Sequence, residues 1–245
     1  EVTPRPVAVR GRAAFSAGRA RKARPHRFIH EVPKQSAGYT QKQVEWSLFR
    51  EVAGLKFATT GRERLQAAAP VRLSSGQWLR VDFGAVRTGF PGLRVQAVRA
   101  TRLLLVFDEL LLKGQIVFDR SACLNTIGLE LAAGAELNFE SFEPYTFQHL
   151  EVVILAGAAE VADISLRNFI NAEKVRPAPA GLPAAVAKVR QAALASFRQN
   201  ALDIFMDCPS RERAGWLCDS LFTARAEWHL CGDNPIERAF LENYL

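Results

Sequence analysis

A succession of short apolar runs, with no helix-length segment between them, constrains the fold of this chain more than any other feature. Runs such as QWLRVDFG, RLLLVF and HLEVVIL follow one another from about Ser75 to residue 172, and Gly, Pro, Asn or Asp residues separate them. Strands joined without crossover helices pair in antiparallel fashion. The pattern therefore predicts an antiparallel β-sandwich over residues 71–175.

The hydrophobic period changes after a proline-rich joint, RPAPAGLP, at residues 176–183. Apolar residues then recur at steps of three and four positions, which is typical of a helix with one buried face. We predict that this first helix follows Pro183, includes Leu202 and Phe205 in its apolar stripe, and ends before Pro209. A residue that precedes a proline disfavours the helical conformation.

Two further helices complete the pattern. The first carries Leu217 and Trp228 and ends near Gly232, which is suited to a C-cap. The second opens at Asn234 as its N-cap, with a proline in the first helical position. Three helices joined by short connections predict the beginning of an antiparallel helical array over residues 184–245.

The net charge of +7 is confined to the N-terminal part of the chain. Residues 1–34 hold nine basic and two acidic residues, whereas the rest of the chain holds 23 of each. The basic stretch has few aromatic residues on which bases could stack, so a solvated linker is favoured over a nucleic-acid-binding arm. We interpret residues 1–70 as a linker with a partial β region. It contains one edge strand in VAVRGRAAF and either a short helix or an irregular connection in KQVEWSLFREVAGL.

The apolar content and the cysteines exclude several classes of protein. A hydrophobic fraction of 49% is that of a core-forming protein, and no apolar run approaches the roughly 18 residues that cross a bilayer. No two cysteines have C-x-x-C spacing and no histidine lies at zinc-site spacing from them. We therefore predict buried or partly buried free thiols, no metal site and no cofactor, and a disulfide among the last three cysteines stays open as an alternative. The cysteines are Cys123, Cys208, Cys218 and Cys231.

The stretch MDCPSRERAGWLCD, residues 206–219, fits neither the helical nor the strand pattern around it. It places Asp207, Glu212 and Asp219 close to two arginines and Trp216. If a helix begins near Glu212, then Glu212 and Asp219 project from one face, since their separation is about two helical turns. From spacing alone, a salt-bridged helix start on a solvated face accounts for the stretch better than a catalytic site does.

A cluster of carboxylates beside an aromatic side chain nevertheless suits the hydrolysis of sugars. One protonated carboxylic acid donates to the leaving oxygen, and a second carboxylate activates water or attacks directly. Partial burial and neighbouring negative charge raise the pKa of such an acid. Further carboxylates accept hydrogen bonds from sugar hydroxyls, and an aromatic face stacks on the C–H face of the ring.

The stretch DCPSRERAGWLCD resembles the signature region of the bacterial α-L-rhamnosidases of glycoside hydrolase family 78. Three segments, LRVDFGAVRTGFPGLRV, FDELLLKGQIVFDR and FESFEPYTFQHLEVVI, resemble the β-sandwich that precedes the catalytic domain in that family. The resemblance covers most of residues 75–245 and implies that residues 184–245 begin an (α/α)6 barrel. The signature positions that match in order are Asp207, Pro209, Arg211, Glu212, Gly215, Trp216 and Asp219.

The resemblance implies a role for each matching polar or aromatic residue. Glu212 matches the general acid of the family. Asp207 and Asp219 match carboxylates that bind rhamnose hydroxyls, and Arg211 and Trp216 match residues of the same pocket. Many members carry one more residue between the arginine and the glutamate than this chain does.

The resemblance therefore predicts part of an inverting glycosidase that cleaves terminal α-L-rhamnosyl residues from glycans or glycosides. Its partner is a carbohydrate, without nucleic acid or a membrane span. The facing general base of the family lies on a later helix, beyond Leu245, so we expect the 245 residues alone to be inactive. Two alternatives stay open: an (α/α)6 glycosidase for another sugar, and a non-catalytic carbohydrate-binding protein.

The ends of the chain lead us to expect an internal fragment of a longer protein. It begins without an initiator methionine, and its last residues read as a helix without a stop signal. The sequence does not distinguish a periplasmic, secreted or cytoplasmic location in a bacterium, and it specifies neither the natural glycan nor the oligomeric state.

Overall fold

The computed structural model describes residues 8–15, 55–63, 70–117, 120, 124–171 and 173–245. The segment KQVEWSLFREVAGL lies outside the described residues except for its last leucine, and so does Cys123. The chain divides into two compact units. The first unit comprises the chain through Val86, Pro91–Ser141 and Phe147–Leu166, and the second comprises Arg87–Phe90, Phe142–Thr146 and Arg167–Leu245.

Eleven strands form within the described residues, and every pair with a defined register is antiparallel. Nine of them belong to one sheet with the path β2-β1-β4-β10-β5-β8, to which β9 adds beside β4, and β11 beside β3 and β4. The strands are β1 Ala8–Phe15, β2 Leu55–Glu63, β3 Val71–Ser74, β4 Gln77–Ala97, β5 Thr101–Asp108, β6 Leu111–Leu112, β7 Gln115–Ile116, β8 Thr126–Leu131, β9 Glu136–Glu140, β10 Tyr145–Ala156 and β11 Ala158–Asn168.

Two strands differ from the sequence-based expectation. Strand β1 pairs with β2 on one side and β4 on the other, so it is not an edge strand. Strand β4 is a single strand of 21 residues, although QWLRVDFG and LRVQAV read as two runs divided by turn residues. Gly84 lies in the left-handed region of φ without ending the strand, because glycine has no Cβ to oppose that conformation.

The central strands of the first unit are buried on both faces, as the strands of a β-sandwich core can be. The alternation in QWLRVDFG puts Trp78, Arg80 and Asp82 on one face of the strand, yet Trp78 and Arg80 are buried, as is Val81 on the opposite face. Arg80 donates from Nε to Glu151 Oε1 at 2.6 Å. Burial raises the pKa of Glu151, and the charge of Arg80 opposes that rise. The ion pair with Glu151 thus offsets part of the cost of burying the charge of Arg80.

Three helices follow the strands, as predicted: α1 Ala184–Asn200, α2 Leu217–Cys231 and α3 Pro235–Glu242. Gly232 ends α2 with a φ of 82°, which confirms the predicted left-handed C-cap. Antiparallel β structure followed by helices is the predicted fold class, which is confirmed. None of the helices in the described part of the chain combines the length and apolar character needed to cross a membrane.

The first helix is shorter than predicted. It ends at Asn200, and an isolated antiparallel bridge joins Ala201 to Phe205, so the placement of Leu202 and Phe205 in a helical stripe is wrong. The reason is tertiary. Phe205 reaches the core of the second unit from the turn, where its ring centroid lies 6.0 Å from that of Phe240.

One apolar core unites α1, the turn after it, α2 and α3. Its buried members come from all four pieces of chain, and Phe240 also contacts Tyr244 edge-on, with ring centroids 5.3 Å apart. The core fixes both ends of the connection between α1 and α2. Its buried residues are Phe197, Ala201, Phe205, Ala224, Ile236 and Phe240.

The start of α3 is capped differently from the expectation. Asn234 occupies the N-cap position, but its side chain makes no capping bond to the helix backbone. The buried carboxylate of Glu227 instead accepts the backbone N–H groups of Ile236 at 2.9 Å and Glu237 at 3.2 Å. Burial raises the pKa of Glu227 to about 7; the two backbone N–H groups oppose the rise, and neighbouring Glu173 adds to it.

The raised pKa of Glu227 predicts a pH-dependent stability. The pKa of Glu227 in the folded state lies above its ordinary value of 4.5. The contribution of this group to the free energy of unfolding is therefore fully present below about pH 4.5 and is lost as the pH rises through 7. We expect the free energy of unfolding to fall by about 3 kcal/mol across this range. Urea unfolding of the 245-residue chain at several pH values measures it. The Glu227→Gln variant should lose that slope, whereas the exposed control Glu242→Gln should keep it; equal slopes in all three proteins would refute the assignment.

Candidate active site

The connection Met206–Trp216 between α1 and α2 is a closed loop, which we call the signature loop. Asp207 donates its backbone N–H to the Ala214 carbonyl at 2.9 Å, and Arg213 donates its own to the Cys208 carbonyl at 3.1 Å. Helix α2 begins only at Leu217, so the condition that would place Glu212 and Asp219 on one helix face is not met. Pro209 has no N–H and restricts Cys208, which favours a turn here over a helix.

Glu212 lies near the tip of this loop, between a cation and an indole. Its Oε1 lies 2.7 Å from a terminal nitrogen of Arg211, and its Oε2 accepts the indole N–H of Trp216 at 3.0 Å. The backbone N–H of Glu212 points to the sulfur of Cys208 at 3.4 Å. The contacts with Arg211 and Trp216 fix the orientation of the carboxylate. Because the side chain is 39% exposed, the carboxylate still reaches solvent.

Asp207 is the more enclosed of the two loop carboxylates, with 10% of its side chain exposed. Its Oδ1 accepts the backbone N–H of Ala214 at 3.0 Å, and its Oδ2 accepts the thiol of Cys208 at 3.0 Å. Arg211 lies 3.9 Å from Oδ2, so one guanidinium faces both carboxylates of the loop. The sulfur of Cys208, followed by the charge of Glu212, raises the pKa of Arg211, which keeps the side chain cationic.

The remaining two predicted site residues lie at the start of α2. Trp216 is the N-cap residue of the helix, and its indole is 49% exposed beside Glu212. Asp219 is exposed in the first turn, and none of the contacts found among the described residues joins it to Asp207 or Glu212. The structure thus brings four of the five residues together. Asp219 lies apart from them in the first turn of α2, where its negative charge stabilises the N-terminal end of the helix.

A segment that sequence reasoning missed holds the signature loop in place. The segment Phe142–Thr146, which we call the anchor segment, belongs to the second unit although it follows strand β9. Thr146 donates its hydroxyl to the carbonyl of Pro209 at 3.0 Å. The opposite side of the loop is held by Arg213, which donates to the Pro144 carbonyl at 2.7 Å. The one signal in the sequence is the polar, proline-containing break FEP, which directly precedes the YT that begins strand β10.

Gly215 of the signature is explained by packing. A Cβ at this position would overlap the ring of Phe240, and the hydroxyl of Tyr244 donates to the Gly215 carbonyl at 2.6 Å. We expect Gly215→Ala to lower the free energy of unfolding by about 1–3 kcal/mol, the usual cost of overpacking. The same substitution in a Phe240→Leu background should cost less, because the opposing ring is absent. An equal cost in both backgrounds, measured by urea unfolding, would contradict the packing explanation.

The described part of the chain offers no metal centre, since none of its His, Cys, Asp and Glu side chains form a group of three or more that could hold an ion. Cys208, Cys218 and Cys231 form no disulfide, as predicted. Cys208 and Cys231 are partly buried, but Cys218 is exposed, so the expectation of burial is wrong for Cys218.

Comparison with known proteins decides the relationship. Residues 184–244, which contain the signature loop and all three helices, match the family model of the bacterial alpha-L-rhamnosidase six-hairpin glycosidase domain. The helical part of this chain is therefore similar to a segment of that domain. The predicted relationship to the bacterial α-L-rhamnosidases of glycoside hydrolase family 78 is therefore confirmed.

Solved structures of rhamnosidases share the fold. A rhamnosidase from Klebsiella oxytoca with rhamnose bound is 22% identical, with a TM-score of 0.64 over 76% of this chain and 39% of its own. The family 78 rhamnosidase of Bacillus sp. GL1 is 23% identical, with a TM-score of 0.59 over 78% and 21%. The Streptomyces avermitilis α-L-rhamnosidase complexed with L-rhamnose is 20% identical, with a TM-score of 0.51 over 77% and 20%.

This chain spans well under half the length of each of these rhamnosidases. At such identities the likeness concerns the fold. No curated protein matches the chain at a significant level.

Proposed function

We propose that the protein to which this chain belongs hydrolyses terminal α-L-rhamnosyl bonds with inversion of configuration. The observation that carries the proposal is the signature loop, in which Glu212, Asp207, Arg211 and Trp216 are gathered at one place within the matched glycosidase segment. Rhamnose bound to the Klebsiella oxytoca and Streptomyces avermitilis rhamnosidases supports the choice of sugar.

In this proposal Glu212 is the general acid. Its carboxyl group is solvent-accessible at the loop tip, as a donor to a glycosidic oxygen must be. The indole N–H of Trp216 holds Oε2, and the guanidinium of Arg211 holds Oε1, so the group is oriented before substrate arrives. A proton delivered from a fixed position to the leaving oxygen lowers the cost of breaking the glycosidic bond.

The neighbouring residues are proposed to bind the sugar. Asp207 is fixed by Ala214 and Cys208, and its carboxylate oxygens have remaining acceptor capacity for sugar hydroxyls. The half-exposed face of Trp216 can stack on the C–H face of a sugar ring. Asp219, about one turn further along α2, is proposed to accept a hydrogen bond from a sugar hydroxyl.

Inversion requires a second carboxylate that activates water on the far face of the sugar, about 6.5–9.5 Å from the acid. We propose that this base comes from outside the 245 residues, on a later helix of the barrel. The chain alone would then bind rhamnose without releasing it from a glycoside.

Assays of the full-length protein on a panel of 4-nitrophenyl glycosides test the proposal. We expect release of 4-nitrophenol from the α-L-rhamnoside in preference to the other sugars. Preferential cleavage of another sugar would replace the substrate assignment and keep the glycosidase. Failure to cleave any member of the panel, with rhamnose still bound by the β region alone, would favour a carbohydrate-binding protein and contradict the proposal.

A further inference from the structure

Arg213 combines an unfavourable backbone with an unusually well-held side chain. Its φ of 52° lies in the left-handed region, where a residue with a Cβ is disfavoured. Such a conformation persists only when the surroundings hold it in place. One such restraint is the hydrogen bond from its backbone N–H to the Cys208 carbonyl at 3.1 Å, which closes the signature loop.

The other restraints are contacts between the guanidinium of Arg213 and residues of the anchor segment. It donates to the Pro144 carbonyl at 2.7 Å and to Glu143 Oε2 at 3.0 Å. Its central carbon lies 5.5 Å from the ring centroid of Tyr145, within the range of a cation–π contact. The side chain is one-third exposed, so these contacts are partly shielded from water. Three successive residues of one segment thus hold one arginine.

The conformation at residue 213 decides where Glu212 points, because the two residues share a peptide plane. The left-handed turn directs the chain back towards Ala214 and Trp216, which brings the Trp216 indole onto the Glu212 carboxylate at 3.0 Å. If Arg213 moved to an ordinary right-handed or extended conformation, the loop would close differently and that bond would be lost. The charge of Arg213 is committed to Glu143, whereas Arg211 is the arginine that faces the site.

We propose that Arg213 is a positioning residue: by bonding the anchor segment it holds the loop in the conformation that aims Glu212 at the glycosidic oxygen. The inference rests on the proposed function of Glu212. It assigns the anchor segment, far from the signature in sequence, to the catalytic machinery as the support of the acid.

Leaving-group dependence in the full-length protein tests the proposal. Hydrolysis of a 2,4-dinitrophenyl rhamnoside needs little protonation of the leaving group. Hydrolysis of methyl α-L-rhamnoside needs a correctly positioned general acid. For Arg213→Ala we expect kcat on the methyl rhamnoside to fall at least about tenfold more than kcat on the dinitrophenyl rhamnoside, with little change in KM. A variant that merely folds poorly would lose the same fraction of both activities, and that outcome would overturn the proposal.

Two further variants keep the test decisive. Glu143→Gln removes the charge that pairs with Arg213 from a partly exposed partner that also contacts Tyr145. It should show the same selective loss to a smaller degree even if Arg213→Ala does not fold. Arg213→Gly permits the left-handed backbone but lacks the guanidinium, so a selective loss there assigns the effect to the anchor; full activity would overturn it. Arg238→Ala, which breaks an exposed ion pair with Asp233 in the same unit, is the matched control and should change neither rate.

Glu212→Gln separates this proposal from the one on which it rests. If that variant shows a strong leaving-group dependence and the Arg213 and Glu143 variants do not, only the positioning role fails. If Glu212→Gln loses both activities equally or neither, the acid assignment itself fails.

Discussion

Glu212→Gln is expected to abolish most rhamnose release by the full-length protein, with kcat on 4-nitrophenyl α-L-rhamnoside falling about 10²–10⁴-fold. Glutamine keeps the shape of the side chain and can still accept the Trp216 indole N–H, but it has no proton to give to the leaving oxygen. The carboxylate is 39% exposed and lies outside the core, so the stability of the protein should hardly change.

The matched control for this substitution is Glu242→Gln. Glu242 is an exposed carboxylate at the end of α3, remote in sequence from the signature loop. It should leave both the rate and the unfolding curve unchanged. Near-wild-type turnover in the Glu212 variant, or a loss of folded protein that matches its loss of rate, would contradict the assignment of the general acid.

Phe240→Ala should produce the largest loss of stability, about 3–5 kcal/mol, the usual cost of removing a buried phenylalanine. The ring lies between Phe205 and Tyr244 and fills the space beside Gly215, so its removal leaves a cavity where α3, the turn after α1 and the signature loop meet. Urea unfolding of the 245-residue chain measures the change.

The neighbouring Leu241 provides the control, since its side chain is 46% exposed. Leu241→Ala should cost less than about 1 kcal/mol. If both alanine variants lost the same stability, the core described for the second unit would not be the one that holds the helices together.

Elements with a strong local signal were predictable from the sequence. The strand runs and the change of period at residues 176–183 gave the order of β structure and helices, because side-chain periods of two and 3.6 differ clearly. Gly232 was predictable as a C-cap, since few other residues adopt its positive φ.

Features set by tertiary contacts were not predictable. The periodicity of Leu202 and Phe205 fitted a longer helix, but the core draws Phe205 in from a turn. Asn234 had the sequence of a side-chain cap, yet Glu227 from α2 takes that role. In both cases a partner distant in sequence or on another helix outweighed local propensity.

The candidate site was predictable only where its residues are contiguous. The signature identified Asp207, Arg211, Glu212 and Trp216, which the loop gathers. The helix start near Glu212 that would have placed Glu212 and Asp219 on one face does not form. The anchor segment was missed because it lies about 70 positions before Arg213 and has no catalytic residue type in a recognisable pattern.

Proton NMR of the first sugar released by the full-length protein from an aryl α-L-rhamnoside tests the proposed glycosidase most directly. An inverting enzyme that uses Glu212 as acid and a distant carboxylate as base must produce β-L-rhamnose first, with the α-anomer growing in only as mutarotation proceeds. Appearance of the α-anomer first would show retention and exclude the proposed pair of roles, and failure to release rhamnose at all would contradict the activity itself.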